Sequence, residues 1–153
     1  MVHALEEIQR LLKPNGCLIE IHPIREAPLI KLIQGSSILL AEPDPGYDYD
    51  EDIRQAEDAL GQATQRGVLV TERSGEFDLI TYASSVSELR EFFAKVGAYD
   101  DSPKDDAMEA QRTALYARVE EVMQAAGDGA EVAFHERAHI TRLRPNIRKE
   151  ESI

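Results

Sequence analysis

The 153-residue chain contains no tryptophan, a single cysteine (Cys17) and only 6% aromatic residues. The low aromatic content predicts a core built mainly from aliphatic side chains. A single cysteine excludes an intramolecular disulfide framework and is typical of a reducing compartment. No uninterrupted apolar run is long enough for a membrane span, and residues 1–12 lack the apolar centre of a signal peptide. We therefore expect a globular, cytoplasmic protein.

Positive charge is also scarce. The chain has 17 Lys and Arg residues against 29 Asp and Glu residues, a formal net charge of −12. Nucleic-acid binding needs cationic side chains that replace the counterions of phosphate groups. Anionic membrane surfaces attract basic segments by the same physics. The acidic composition therefore predicts that neither nucleic acid nor a membrane is a partner.

Hydrophobic periodicity and turn residues predict an alternating series of helices and strands. We predict helices over residues 3–13, 50–66, 85–96 and 105–126, a strand over 17–22, hairpins over 29–41 and 68–83, and a last strand over 131–143. Apolar residues on both faces of strand 17–22 indicate burial on both sides. The expected fold is α/β with an α+β-like arrangement, a mostly antiparallel sheet with helices packed on it. Residues 1–144 are expected to form one region and residues 145–153 a flexible tail.

Residues 4–23, ALEEIQRLLKPNGCLIEIHP, contain an amphipathic helix, a Lys13-Pro14-Asn15-Gly16 turn and a short apolar strand. This stretch resembles the segment around the fifth strand of class I S-adenosylmethionine-dependent methyltransferases, where a Leu-Lys-Pro-Gly-Gly-like turn feeds a buried strand. The resemblance implies a partial Rossmann-like methyltransferase fold. By order of elements, the last strand, Val132–Leu143, would then be the antiparallel strand that closes the sheet.

In that family, a Gly-rich turn after the first strand cradles the cofactor, because the backbone must approach the ligand closely. No G-x-G-x-G-like segment occurs in this sequence, and Gly127-Asp128-Gly129 lies in the wrong context, between a helix and an antiparallel strand. The resemblance therefore implies that the first four strands are missing. A split enzyme, a degenerate interaction module and a misassigned start at Met1 all stay open. We expect no cofactor on this chain alone, and S-adenosylmethionine only if the missing half is supplied.

Glu20 and His22 are the candidate site residues. They share parity on one strand, so their side chains point to the same face, near the strand end where α/β proteins place ligands. His22 is a candidate for substrate contact or proton handling; the alternative is a strand-terminal histidine bonded to local backbone. His135 and His139 share a strand, but their Cα atoms would lie ~13 Å apart, too far to chelate one metal. No metal ligands are predicted.

Two charged regions carry weaker signals. Basic residues gather near the end of the chain: Arg137, Arg142, Arg144, Arg148 and Lys149. We interpret them mainly as cross-strand ion-pair partners of the acidic excess rather than as an anion site. The acidic segments 42–52 and 100–106 do not follow the EF-hand pattern and are interpreted as solvated loops.

The sequence favours a methyltransferase-like protein that corresponds to the C-terminal part of the domain and is inactive in methyl transfer alone. The alternative is a non-enzymatic protein–protein interaction or regulatory module, and a small-ligand carrier around His22 is a weaker third possibility. An uncovered apolar edge strand is an aggregation hazard. We therefore expect a homodimer, or a protein partner that covers the edge of strand 17–22.

Overall fold

The computed structural model describes residues 2–47, 49–97 and 105–146 of the chain. Its helices are α1 (Val2–Leu11), α2 (Asp50–Gln65), α3 (Val86–Val96) and α4 (Asp106–Ala126). Its strands are β1 (Leu18–Pro23), β2 (Leu29–Gln34), β3 (Ser37–Pro43), β4 (Leu69–Ala83) and β5 (Ala130–Pro145). None of the helices in these three ranges is long and apolar enough to cross a membrane.

The five strands form one antiparallel sheet, which confirms the predicted α+β-like fold class. Its order is β1-β5-β2-β3, and β4 also pairs with β5. The register places Leu18 opposite Leu143 and His22 opposite His139, and places Leu29 opposite His135. The last strand, β5, therefore pairs with β1, β2 and β4.

Local signals placed most of the element ends correctly. Gly35 and Ser36 form the turn between β2 and β3. Gly35 has a φ of +59°, and the φ of Ser36 is not positive, as a type II′ turn requires. The Ser85 side chain accepts the backbone N–H of Glu88, and the Glu88 carboxylate accepts the N–H of Ser84. These two bonds cap the start of α3, and they differ from a regular capping box in that Glu88 bonds the residue before the N-cap Ser85.

The expectation that strand 17–22 is buried on both faces is wrong. In β1, Ile19 and Ile21 are 50% and 56% exposed, while Leu18, Glu20 and His22 on the alternate positions are half-buried. The strand is antiparallel to β5, its partner among the described residues, and it lies at the end of the strand order. An edge strand of an antiparallel sheet can leave one face to solvent.

The predicted hairpin over residues 68–83 is also wrong, because β4 runs without a turn through Ser74-Gly75. Gly75 does not have a positive φ and has open space around its Cα. β5 is 16 residues long and offers a ladder along which the 15-residue β4 can stay extended. Glu72 and Glu76 on β4 form ion pairs with arginines of β5, which fixes this pairing.

The contacts divide the chain into two compact units, and both units take residues from β4 and β5. The first comprises residues 1–25, 49–77 and 137–153. In it, α1 and α2 pack together on strand residues, and the buried core consists of Leu5, Ala59, Ala63, Leu69 and Leu143.

The second unit comprises residues 26–48 and 78–136, and holds β2, β3, α3 and α4. Its core is larger and aliphatic apart from Tyr116 and Phe134: Ile30, Leu32, Ala83, Val86, Leu89, Leu115, Tyr116, Val119, Ala130, Val132 and Phe134.

Of the predicted tail 145–153, Pro145 belongs to β5, and the Asn146 N–H donates to the Val68 carbonyl. Residues 147–153 lie outside the described part, and the prediction of a flexible tail is untested there. Of the acidic segment 100–106 interpreted as a solvated loop, residues 100–104 also lie outside the described part.

Candidate functional site

The candidate site is built on the half-buried face of β1. Because side chains alternate along a strand, Ile19 and Ile21 point to the exposed face, and Glu20 and His22 point to the other face. His22 Nδ1 lies 2.6 Å from Glu20 Oε1, a charge-assisted hydrogen bond between side chains only 12% and 18% exposed. The structure thus brings the two predicted site residues into direct contact.

His139 on β5 joins them from the neighbouring strand. It lies directly opposite His22 in the register, and the two imidazole centroids are 5.4 Å apart. His139 Nδ1 is hydrogen-bonded to the hydroxyl of Thr141 at 3.2 Å, and Thr141 is itself buried. This bond orients the ring, and where Nδ1–H is the donor it leaves the lone pair of Nε2 available.

Two carboxylates complete the surroundings. Glu57 on α2 places Oε1 3.6 Å from His22 Nε2, and its side chain is 43% exposed. Glu20 accepts from His22 through one oxygen, while its Oε2 is buried without a hydrogen-bond partner among the described residues. Such an atom carries a desolvation cost that a cation or a donor would relieve.

The arrangement has two chemical capabilities. A Glu–His pair can hold an imidazole in one tautomer and stabilise its protonated form, as general acid–base work requires. One donor atom each from Glu20, His22 and His139 also lie within 4.8 Å of one another, a spacing compatible with a shared metal ion. We name these three residues the β1–β5 cluster.

Sequence reasoning found Glu20 and His22 but missed His139 and Glu57. The shared parity of Glu20 and His22 is readable from the sequence, whereas the register between β1 and β5 is not. His139 lies next to His22 across the two strands, whereas His135 is four residues away along its own strand. Whether His22 contacts a substrate stays a prediction.

His135 belongs to a separate polar cluster in the second unit. Lys31 Nζ on β2 donates to His135 Nδ1, and Asp78 Oδ1 on β4 lies 3.2 Å from His135 Nε2. That approach does not satisfy hydrogen-bond geometry, since Nε2 has no hydrogen-bond partner among the described residues. The cluster joins three strands through alternating charges, which is a sufficient structural role.

The basic residues near the chain end form ion pairs, as the sequence interpretation favoured. Arg137 pairs with Glu76, Arg142 lies 3.0 Å from Glu72, and Arg144 lies 3.5 Å from the same carboxylate. Arg148 and Lys149 lie outside the described residues. Arg137, Arg142 and Arg144 therefore all form ion pairs between β5 and β4.

The acidic loop after β3 contains a buried structural ion pair. The Asp44 carboxylate accepts from Arg112 Nε and Nη2 at 3.1 and 3.2 Å and from the Gly46 N–H at 3.0 Å. Burial lowers the pKa of Arg112, but the hydrogen bond and charge of Asp44 more than offset that, so the net shift is upward. Asp44 is thus held by protein groups.

Comparison with known proteins places no external constraint on this site. No family model matches the chain, and neither a curated protein nor a solved structure matches it. The site must therefore be interpreted from its own residues and geometry.

Proposed function

We propose that residues 1–144 are the C-terminal part of a class I methyltransferase-like domain. The observation that carries this proposal is the antiparallel pairing of β1 with the last strand, from Leu18↔Leu143 to Pro23↔Ala138. The resemblance assigns this same relation to the strand after the Lys-Pro-Asn-Gly turn and the strand that closes the sheet. The helix, turn and strand expected over residues 4–23 support it, as α1 and β1 lie on either side of that turn.

These residues alone are proposed to transfer no methyl group. Gly127 and Gly129 have positive φ values, but they lie between α4 and β5, where Gly127 caps the helix. Neither is placed after a parallel strand, the context in which a Gly-rich turn lets a nucleotide approach the backbone. S-adenosylmethionine is therefore proposed to bind only together with a Gly-rich half supplied from elsewhere.

Within this proposal, Glu20 and His22 face the substrate side. The 2.6 Å hydrogen bond would hold the imidazole ready to accept a proton from a substrate atom. The low exposure of both side chains strengthens that electrostatic interaction.

Calorimetric titration with S-adenosylhomocysteine tests the proposal. We expect no heat of binding with the 153-residue chain alone. We expect micromolar affinity when it is co-expressed with a Gly-rich strand–turn–helix segment encoded upstream in frame or beside it. Micromolar binding by the chain alone would contradict the absence of a cofactor site. Failure to find any Gly-rich partner segment whose addition restores binding would contradict the methyltransferase relationship.

A non-enzymatic interaction module is the second candidate, favoured by the exposed face of β1. Ile19 and Ile21 are more exposed than the charged and polar side chains Glu20 and His22 of the same strand, which inverts the usual burial pattern. A second copy or a protein partner that pairs with β1 would cover both side chains and the strand edge.

A further inference from the structure

We propose that the β1–β5 cluster of Glu20, His22 and His139 binds a divalent transition-metal ion of the zinc type. This inference does not require a cofactor half, and it assigns the His22 imidazole to a metal instead of to proton transfer from a substrate. The three donor atoms come from two adjacent strands, whose backbone hydrogen bonds hold their register at this point.

Distances favour this assignment. Two ligand atoms on one tetrahedral zinc ion lie roughly 3.3 Å apart, given bonds of about 2.0–2.1 Å. The donor atoms of the cluster are all within 4.8 Å of one another, so each pair needs to approach by at most about 1.5 Å to reach that spacing. Two imidazoles and one carboxylate suit zinc and its neighbours, whereas magnesium and calcium prefer oxygen ligands alone.

The surroundings provide independent support. Glu20 Oε2 is buried without a hydrogen-bond partner among the described residues, and a metal bond would satisfy it. The buried hydroxyl of Thr141 holds His139 through Nδ1, the kind of outer contact that orients a metal-bound imidazole. The net charge of −12 raises the local concentration of cations around the chain.

Three protein ligands leave a coordination position open. Glu57 lies at this side of the cluster, with Oε1 3.6 Å from His22 Nε2, and its partial exposure gives solvent access. A metal with an open position can hold water or an exogenous anion. The proposed site is therefore accessible to a small ligand.

Titration of the full chain with Zn²⁺ or Co²⁺ tests the site. We expect one ion per chain with micromolar or tighter affinity, and visible absorption of a low-coordinate Co²⁺ centre. His22→Gln and His139→Gln should each weaken binding by about 100-fold, since each removes one ligand. His135→Gln is the matched control, because it changes a partly buried histidine of the same strand outside the cluster and should leave affinity within threefold.

A second measurement keeps the test valid if a variant misfolds. The chain has only four histidines, so imidazole NMR signals of the unaltered protein are resolvable. Zn²⁺ should shift or broaden the signals of His22 and His139 and leave those of His3 and His135 in place, and equimolar Mg²⁺ should change none. Absence of binding at 100-fold excess of Zn²⁺, or equal loss of affinity in His135→Gln and His139→Gln, would overturn the proposal. So would Zn²⁺ binding that leaves the two cluster signals unchanged.

Discussion

At the scale of single residues, the most consequential contact outside the site is the ion pair between Asp44 and Arg112. Asp44 is 7% exposed, so its carboxylate has exchanged most of its water for Arg112 and the Gly46 N–H. A Cβ at Gly46 would lie 1.5 Å from Arg112 Nη2, so the loop backbone and the guanidinium are in close contact. The absence of a side chain at Gly46 therefore leaves the space that the Arg112 guanidinium occupies.

Removing the arginine should destabilise the fold. We expect Arg112→Ala to lower the free energy of unfolding by about 2 kcal/mol, because it leaves a buried carboxylate uncompensated. The value is below that of a fully buried pair, since the Arg112 side chain is 29% exposed. Urea denaturation measures the change.

Arg54→Ala is the control for that measurement. Arg54 also contacts two carboxylates, Glu51 and Asp58, but it is 46% exposed on the surface of α2. Solvent screens such exposed pairs, so Arg54→Ala should lower the free energy of unfolding much less than Arg112→Ala. An Arg112→Ala variant no less stable than Arg54→Ala would show that Asp44 finds other partners.

At the scale of elements, the helices and the long last strand β5 followed from the sequence, and the unbroken strand β4 did not. Helix ends depend on residues close in sequence, such as Ser85 with Glu88, or on a stop such as Gly67, whose φ is +69°. The extension of β4 depends instead on its partner β5, which the segment 68–83 cannot specify by itself. The turn-forming composition of Ser74-Gly75 was therefore misleading.

One strand glycine, Gly75, and one turn glycine, Gly35, offer a direct test of this conclusion. Gly75 lies in an extended strand with open space, so Gly75→Thr should raise the free energy of unfolding by about 0.5–1 kcal/mol. Gly35 also has open space but a φ of +59°, so Gly35→Thr should lower stability by about 1–2 kcal/mol. Thermal or urea unfolding of both variants measures whether the extended backbone at residue 75 accepts a side chain better than the positive-φ backbone at residue 35. A destabilised Gly75→Thr protein would instead support a turn at residues 74–76.

The residues of the candidate site show the same difference between local and long-range information. Alternation along one strand is a local rule, and it was enough to put Glu20 and His22 on one face. His139 required the register of β1 against β5, and Glu57 required the packing of α2. A slip of one residue in that register would turn His139 to the opposite face, so no pattern in the sequence could specify the full cluster.

At the scale of the whole molecule, the high negative charge constrains how a second copy could approach. Each chain carries a net charge of −12, so two chains repel one another over most orientations. The exposed face of β1 is an exception, because Ile19 and Ile21 are uncharged and Glu20 points to the other face. Among the described residues, β1 also has a strand on one edge only. Dimerisation through β1 would bury apolar surface where charge opposes it least.

We therefore expect light scattering to report a dimer that dissociates on dilution and is stabilised by salt. Raising NaCl from 30 to 300 mM shortens the Debye length severalfold and screens the repulsion between the two chains, so the dissociation constant should fall. Ile19→Lys with Ile21→Lys should give a folded monomer, because the substitutions place charge on the uncharged face. Leu11→Lys is the control, since Leu11 is an equally apolar side chain that is 71% exposed on α1 instead of β1, and it should stay dimeric. A monomer at all concentrations and both salt levels would contradict self-association, and a dimer that survives the double substitution would move the interface away from β1.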